Sequence, residues 1–157
     1  MSKEHPIFWH NVHHGLFLLE KTLRDVNFIP DVIVAVGRGG LVPGTLFAYR
    51  FNIKRVLNYS VQSYNDREQG DTIQVIQEPN NNMLEYKDKN VLIFDDLSDT
   101  GNTLQYITDR LKKDFGITNV KTATLCIKKH ANFIPDFYVQ VYPSDTWLVF
   151  PWEVGEV

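Results

Sequence analysis

Residues 91–103 read Val-Leu-Ile-Phe-Asp-Asp-Leu-Ser-Asp-Thr-Gly-Asn-Thr. Four apolar residues run straight into two adjacent carboxylates, Asp95 and Asp96. A continuous apolar run of this kind is a strand buried on both faces, which belongs to a parallel α/β sheet. The carboxyl end of such a strand is where open α/β sheets bind ligands. Asp99 adds a third carboxylate, and Thr100, Gly101, Asn102 and Thr103 then open a helix. Hydroxyls and backbone N–H groups at a helix N-terminus make an anion site. A βα turn needs one side chain to cap its helix, and three carboxylates within five positions exceed that need. The arrangement suits a ligand with a phosphate at one end and a diol or metal at the other, and phosphorylated ribose fits.

A second turn sits in the same kind of place. Residues 32–36 read as another buried strand, followed by Gly37-Arg38-Gly39-Gly40 and a helix over about residues 43–51. Glycines let the backbone approach a ligand closely. Arg38 adds a permanent, fork-shaped cation matched to phosphate. Alone, this stretch would read equally well as an ordinary glycine-rich turn. Beside residues 95–103 it becomes a second phosphate site, suited to pyrophosphate.

Bulk properties narrow the field. A chain of 157 residues with 43% hydrophobic and 22% charged residues suits one ordinary domain, residues 1–157. A net charge of −3 argues against a general nucleic-acid binder and against docking to anionic membranes. No apolar run approaches the roughly 20 residues of a transmembrane helix, and the start lacks the apolar core of a signal peptide. The single cysteine, Cys126, lies in an apolar run and reads as a packed hydrophobe, with a reducing cytoplasm the simplest compartment. His5, His10, His13 and His14 crowd the N-terminus without a further ligand set, so they read as solvated rather than metal-binding.

Strands and helices alternate along the rest. Residues 11–24 form an amphipathic helix capped by Asn11, with Val12, Leu16, Leu19 and Leu23 on one face. Further strands fall at residues 55–60, 72–77, 120–127 and 137–141, and a helix at 103–115 stops at Gly116. Residues 64–71 and 78–90 are polar and read as surface connections. The sum is an α/β fold with a central, mainly parallel sheet flanked by helices.

The strand–acidic pair–Asp-Thr-Gly-x-Thr pattern at residues 91–103 resembles the phosphoribosyl diphosphate (PRPP) motif of the type I phosphoribosyltransferases. Residues 36–44, Val-Gly-Arg-Gly-Gly-Leu-Val-Pro-Gly, resemble the pyrophosphate loop of the bacterial xanthine-guanine members. The resemblance covers about residues 32–153, weakest over 64–90, and adds a small hood with a flexible loop to the expected fold. It implies PRPP held by Arg38, Gly39, Gly40, Asp95, Asp96, Asp99, Thr100, Gly101, Asn102 and Thr103. It also implies a cis Gly37–Arg38 bond. Mg²⁺ would be held mainly by substrate oxygens with Asp96 assisting, as suits a hard cation that keeps its waters. Tyr64 and Arg67 fall where the family's hood loop closes over PRPP, although Arg67 reads equally well as a solvated charge.

For the base, the resemblance points to Lys128 as donor to a 6-oxo group, with Lys129 the alternative if the register shifts by one. An ammonium favours an oxo acceptor over the 6-amino group of adenine. Residues 145–148 and 151–152 resemble the subfamily's C-terminal segment, where Trp147 stacks on the purine and the Leu148 backbone faces the edge bearing the 2-substituent. Val149 departs from relatives with an acidic residue there, which leaves the choice among guanine, xanthine and hypoxanthine open. Asp99 is the expected catalytic base toward N7 of the purine. The expected partners are PRPP and a purine base, with a homodimer or homotetramer as in the family. The alternative from another class is a non-catalytic PRPP sensor, against which the acidic charge and the retained Asp99 count.

Overall fold

In the computed structural model, which describes residues 3–66 and 70–154, the apolar runs of the sequence become the inner strands of one sheet. In chain order the elements are β1 (Lys3–Pro6), α1 (Trp9–Asp25), β2 (Val32–Gly37), α2 (Leu41–Arg50), β3 (Val56–Asp66) and β4 (Gly70–Gln77). A 3₁₀ turn (Asn81–Tyr86) follows, then β5 (Asn90–Ser98), α3 (Asn102–Lys113), β6 (Asn119–Lys128), β7 (Phe137–Tyr142) and β8 (Thr146–Val149). Six strands pair in the order β4-β3-β2-β5-β6-β7, all parallel except β3 with β4. The expected helix-flanked, mainly parallel sheet is what forms.

Side-chain alternation along each inner strand builds two apolar layers. On one face Leu92 and Phe94 of β5 join Ile33 and Ala35 of β2, Leu16, Leu19 and Leu23 of α1, and Phe47 of α2. On the other, Val91 and Ile93 join Val32 and Val34 with Leu104, Ile107 and Leu111 of α3. Each fully buried side chain of this size contributes about 1.5–3 kcal/mol relative to leaving it in water. That is why these strands read as unbroken apolar runs rather than alternating ones.

The chain leaves β2 toward β3 on one side and leaves β5 toward β6 and β7 on the other. The order therefore reverses between β2 and β5, which pair side by side up to Ala35 and Phe94. Open α/β sheets bind ligands at such a reversal, outside the carboxyl ends of the strands. Here it brings residues 37–40 and 95–103 together.

Several expectations need correction. The polar stretch 64–71 is not simply a loop: β3 runs to Asp66 and β4 starts at Gly70, with Tyr64 paired to Thr72. Polar side chains hid this hairpin because an edge ribbon buries little and shows no apolar signal. Arg67 lies outside the described residues. Residues 78–90 contain the 3₁₀ turn, anchored by the buried Met83. Asn11 is not the cap residue of α1 but its third residue, and its side chain accepts from the Phe8 N–H at 2.9 Å. β1 was not expected. It pairs in parallel with β8, outside the main sheet, and bridges the two ends of the chain.

Candidate active site

The site begins where the apolar run of β5 stops. Asp95 and Asp96 leave the sheet together, and the Asp96 N–H donates to Asp95 Oδ1 at 2.8 Å. Both carboxyl groups are held well above the ordinary carboxylate range. For Asp95 the cause is burial first and then the neighbouring Asp96 carboxylate. For Asp96 it is burial, joined by repulsion from Glu153 and partly offset by hydrogen bonding from Asp95. Two carboxyl groups kept this close with little water resist being charged together, and a cation or the hydroxyls of a ligand would relieve that.

Beyond them the chain forms the phosphate-type turn. Gly101 adopts φ +92°, and α3 starts at Asn102, whose N–H donates to Thr100 Oγ1 at 3.2 Å. The left-handed conformation and the crowding at Gly101 leave no room for a side chain: an added Cβ would lie 2.6 Å from the Phe133 carbonyl oxygen. Asp95, Asp99, Thr100, Gly101, Asn102 and Thr103 line one cleft of about 670 Å³, in the range of small-molecule sites. Its far wall comes from the hairpin, through Ser63, Thr72 and Ile73. Tyr64 itself is exposed and does not line the cleft.

The Gly37–Arg38 peptide bond is cis, as the resemblance implied. Gly39 packs so tightly on the Asp96 carboxylate that any side chain would collide with it, and a Cβ on Gly40 would lie 2.5 Å from the Phe94 carbonyl oxygen. The two glycines thus let the β2 turn lie flat against the end of β5. Arg38 and Gly39 line a separate hollow of about 230 Å³ with Trp152 and Glu153. Asp95 lines the first hollow, and Gly39, which packs on the Asp96 carboxylate, lines the second.

Among the described residues no group of three or more His, Cys, Asp or Glu is close enough to hold a metal unaided. The donors at Asp96 are nonetheless all hard oxygens, and the repulsion from Glu153 is what a divalent cation would relieve. The residues therefore fit a cation that brings most of its own ligands.

The groups expected to meet the base come from farther along the chain. Lys128 ends β6, is buried, and donates its ammonium to the Thr146 carbonyl; Lys129 is exposed. That hydrogen bond ties β6 to the residue just before Trp147. Strand alternation in β8 leaves Trp147 61% exposed and turns the Leu148 side chain into the core, so Leu148 offers a ligand only its backbone. Neither Lys128 nor Trp147 lines the 670 Å³ cleft. Phe150 is buried and stacks on Trp152 at 4.9 Å, a packing role. Cys126 is buried in β6, and burial pushes its thiol up to about 12, so it stays a neutral thiol at physiological pH.

Two residues near the acidic cluster went unread in the sequence. Glu153, in the C-terminal segment, repels the Asp96 carboxylate and helps to raise it. His130 lies two residues past Lys128, and its Nε2 stands 2.7 Å from Asp99 Oδ1. Its place just after a strand neighbouring β5 was the signal available.

Comparison with known proteins now bears on the whole chain. Residues 10–157 match the model of the phosphoribosyl transferase domain. The chain is 35% identical over 154 residues to a xanthine-guanine phosphoribosyltransferase of Idiomarina loihiensis, covering 98% of this chain and 89% of that protein. Its fold superposes on a purine phosphoribosyltransferase from Pyrococcus horikoshii with a TM-score of 0.83, at 32% identity over 98% of this chain and 97% of that one. A xanthine-guanine-hypoxanthine phosphoribosyltransferase of Helicobacter pylori shares the fold with a TM-score of 0.83 at 21% identity, covering 96% and 94% of the two chains. With the acidic pair, the Asp-Thr-Gly-Asn-Thr turn and the Gly-Arg-Gly-Gly loop all meeting at one sheet reversal, the chain belongs to the phosphoribosyl transferase domain family.

Proposed function

We propose that this protein is a purine phosphoribosyltransferase that moves 5-phosphoribose from PRPP to N9 of a 6-oxopurine. The products are the nucleoside 5′-monophosphate and pyrophosphate, a purine-salvage reaction. One observation carries the reading: two carboxylates, Asp95 and Asp99, and a helix N-terminus line a single 670 Å³ cleft at the switch point of the sheet. The activities named for the Idiomarina and Pyrococcus relatives agree with it.

In this reading Thr100, Gly101, Asn102 and Thr103 hold the 5′-phosphate, and Asp95 and Asp96 hold the ribose hydroxyls. Arg38 with the Gly39–Gly40 backbone holds pyrophosphate. Mg²⁺, when bound with PRPP and assisted by Asp96, supplies neutralising charge to the leaving pyrophosphate. The N9 lone pair forms the bond to C1′, and the C1′–oxygen bond breaks with its electrons leaving on pyrophosphate. Asp99 takes the N7 proton, so charge does not build up on the purine. Most of the acceleration is positioning and charge neutralisation around an electron-poor ribose carbon. Trp147 stacks on the base, Lys128 donates to its 6-oxo group, and the Leu148 backbone meets its far edge. Tyr64 belongs to the hood that closes over PRPP. Residues 1–157 act as one domain, in a homodimer or homotetramer, in a reducing cytoplasm.

The test is pyrophosphate release from PRPP with guanine, xanthine, hypoxanthine, adenine and uracil in turn. Turnover confined to one or more of the first three is expected. Tight PRPP binding without turnover on any base would replace the enzyme with a sensor, and turnover on adenine or uracil alone would remove the roles given to Lys128 and Trp147.

A further inference from the structure

The connection after β6 brings a histidine onto Asp99, the residue to which the proposed chemistry gives the most direct task. The His130 Nε2 stands 2.7 Å from Asp99 Oδ1, a close imidazole–carboxylate contact, with the side chains 41% and 62% exposed. A pair this open adds little to stability, because water screens it. Its backbone, however, is not loosely held. The Asn132 N–H donates to the Thr100 carbonyl at 2.7 Å, and the Phe133 N–H to the same oxygen at 3.4 Å. The Ala131 N–H returns to the Lys128 carbonyl at 3.0 Å, and Ser98 Oγ donates to the Phe133 carbonyl at 3.4 Å. Gly101 lies against Phe133 with no space for a Cβ. Residues 98–101 are thus joined to residues 132 and 133 on both sides of Asp99 and just past His130, so the imidazole reaches the carboxylate from a braced support.

A carboxylate on a βα turn has several rotamers, and only some aim an oxygen into the cleft. Tying Oδ1 to a fixed donor selects among them and leaves Oδ2 as the acceptor. An aspartate accepts only, so the nitrogen facing it carries the proton.

We propose that His130 is a positioning residue for Asp99, holding Oδ1 so that Oδ2 meets the N7 proton of the purine. The proposal rests on the phosphoribosyltransferase reading. Truncation at this position is expected to lower kcat by about tenfold, through lost alignment rather than lost binding.

Four variants test it in the pyrophosphate-release assay: His130→Ala, His130→Gln, Asp99→Asn, and Asp99→Asn with His130→Ala. His130→Ala is expected to lose kcat with an unchanged KM for PRPP and an unchanged melting temperature. His130→Gln, whose amide nitrogen reaches about as far as Nε2, is expected to recover most of the loss, and it carries the test if the alanine variant folds poorly. In the Asp99→Asn background, removing His130 is expected to change nothing further. Wild-type rates in His130→Ala, a glutamine no better than alanine, or an equal loss with and without Asp99 each overturn the proposal while leaving the activity standing. A wild-type protein that releases no pyrophosphate with any base overturns the activity, and this inference with it.

Discussion

The two sides of this site are built in different ways. The proposed ribose and 5′-phosphate side is one contiguous stretch, Asp95 to Thr103, fixed by a strand in which Val91 to Phe94 are fully buried on both faces. The proposed base side is assembled from pieces distant in sequence, Lys128 at the end of β6 and Trp147 on β8, and the wall facing Asp95 to Thr103 likewise comes from afar, from Ser63, Thr72 and Ile73 of the hairpin. The contiguous side inherits its geometry from the core. The assembled side depends on tertiary contacts, such as the Lys128–Thr146 hydrogen bond and the pairing of β1 with β8. Chemistry should therefore fail abruptly when the first side is altered, and binding should weaken by degrees when the second is.

The largest effect is expected at Asp99. Asp99→Asn keeps the shape of the side chain and removes its ability to take a proton. General-base help of this kind is worth about 10²- to 10⁴-fold, so kcat should fall by that factor with KM for PRPP little changed. Steady-state pyrophosphate release checks it. A loss under tenfold, with substrate binding intact, would show that the contiguous side positions substrates and does no proton chemistry.

A middle-sized effect is expected on the assembled side. Trp147 is a large exposed ring next to a buried strand residue, and stacking on a base contributes about 1–3 kcal/mol without reading which base it is. Trp147→Ala should raise KM about 5- to 150-fold for every accepted base alike. The KM for PRPP should stay put. A loss confined to one base would mean that the ring reads identity, and the contrast between the two sides would need redrawing.

That contrast also explains what was legible in the sequence. The acidic pair, the Thr-Gly-Asn-Thr turn and the Gly-Arg-Gly-Gly loop each lie within a few residues of a buried strand, so position pointed to them, to the glycine loop only in company with residues 95–103. The parallel sheet followed from the same strands, because burial on both faces leaves an unbroken apolar run. β1 escaped notice because Lys3–Pro6 is exposed throughout and has no apolar period. The hairpin escaped because an antiparallel edge ribbon with polar residues looks like a loop. His130 and Glu153 escaped for a third reason. Their partners, Asp99 and Asp96, are 31 and 57 positions away in the chain, and nothing local marks a residue that matters only through such a contact.

The smallest effect expected is in the tie that holds the hairpin to the rest of the assembled side. Glu78 follows β4 and accepts from Tyr59 Oη at 2.7 Å and from Arg110 Nε at 2.8 Å, linking the base of the hairpin to α3. Arg110 also reaches Asp114 at 2.6 Å and stays about a third exposed, so solvent screens the pair. Such an ion pair is worth about 0–1 kcal/mol. For a domain of this size, 1 kcal/mol moves Tm by roughly 2–4 °C. Arg110 holds the Glu78 carboxyl below its ordinary 4.5, with the Tyr59 hydroxyl helping. A depressed acid stabilises the fold above its unfolded value and loses that contribution as pH falls through the depressed one. Thermal melts of Glu78→Gln against wild type should thus differ by a few degrees at pH 7 and converge as the pH drops below 4.5. A gap that persists undiminished in acid would mean that the link works by shape and neutral hydrogen bonding, in which case the hairpin is held by its packing on Tyr59 and not by charge.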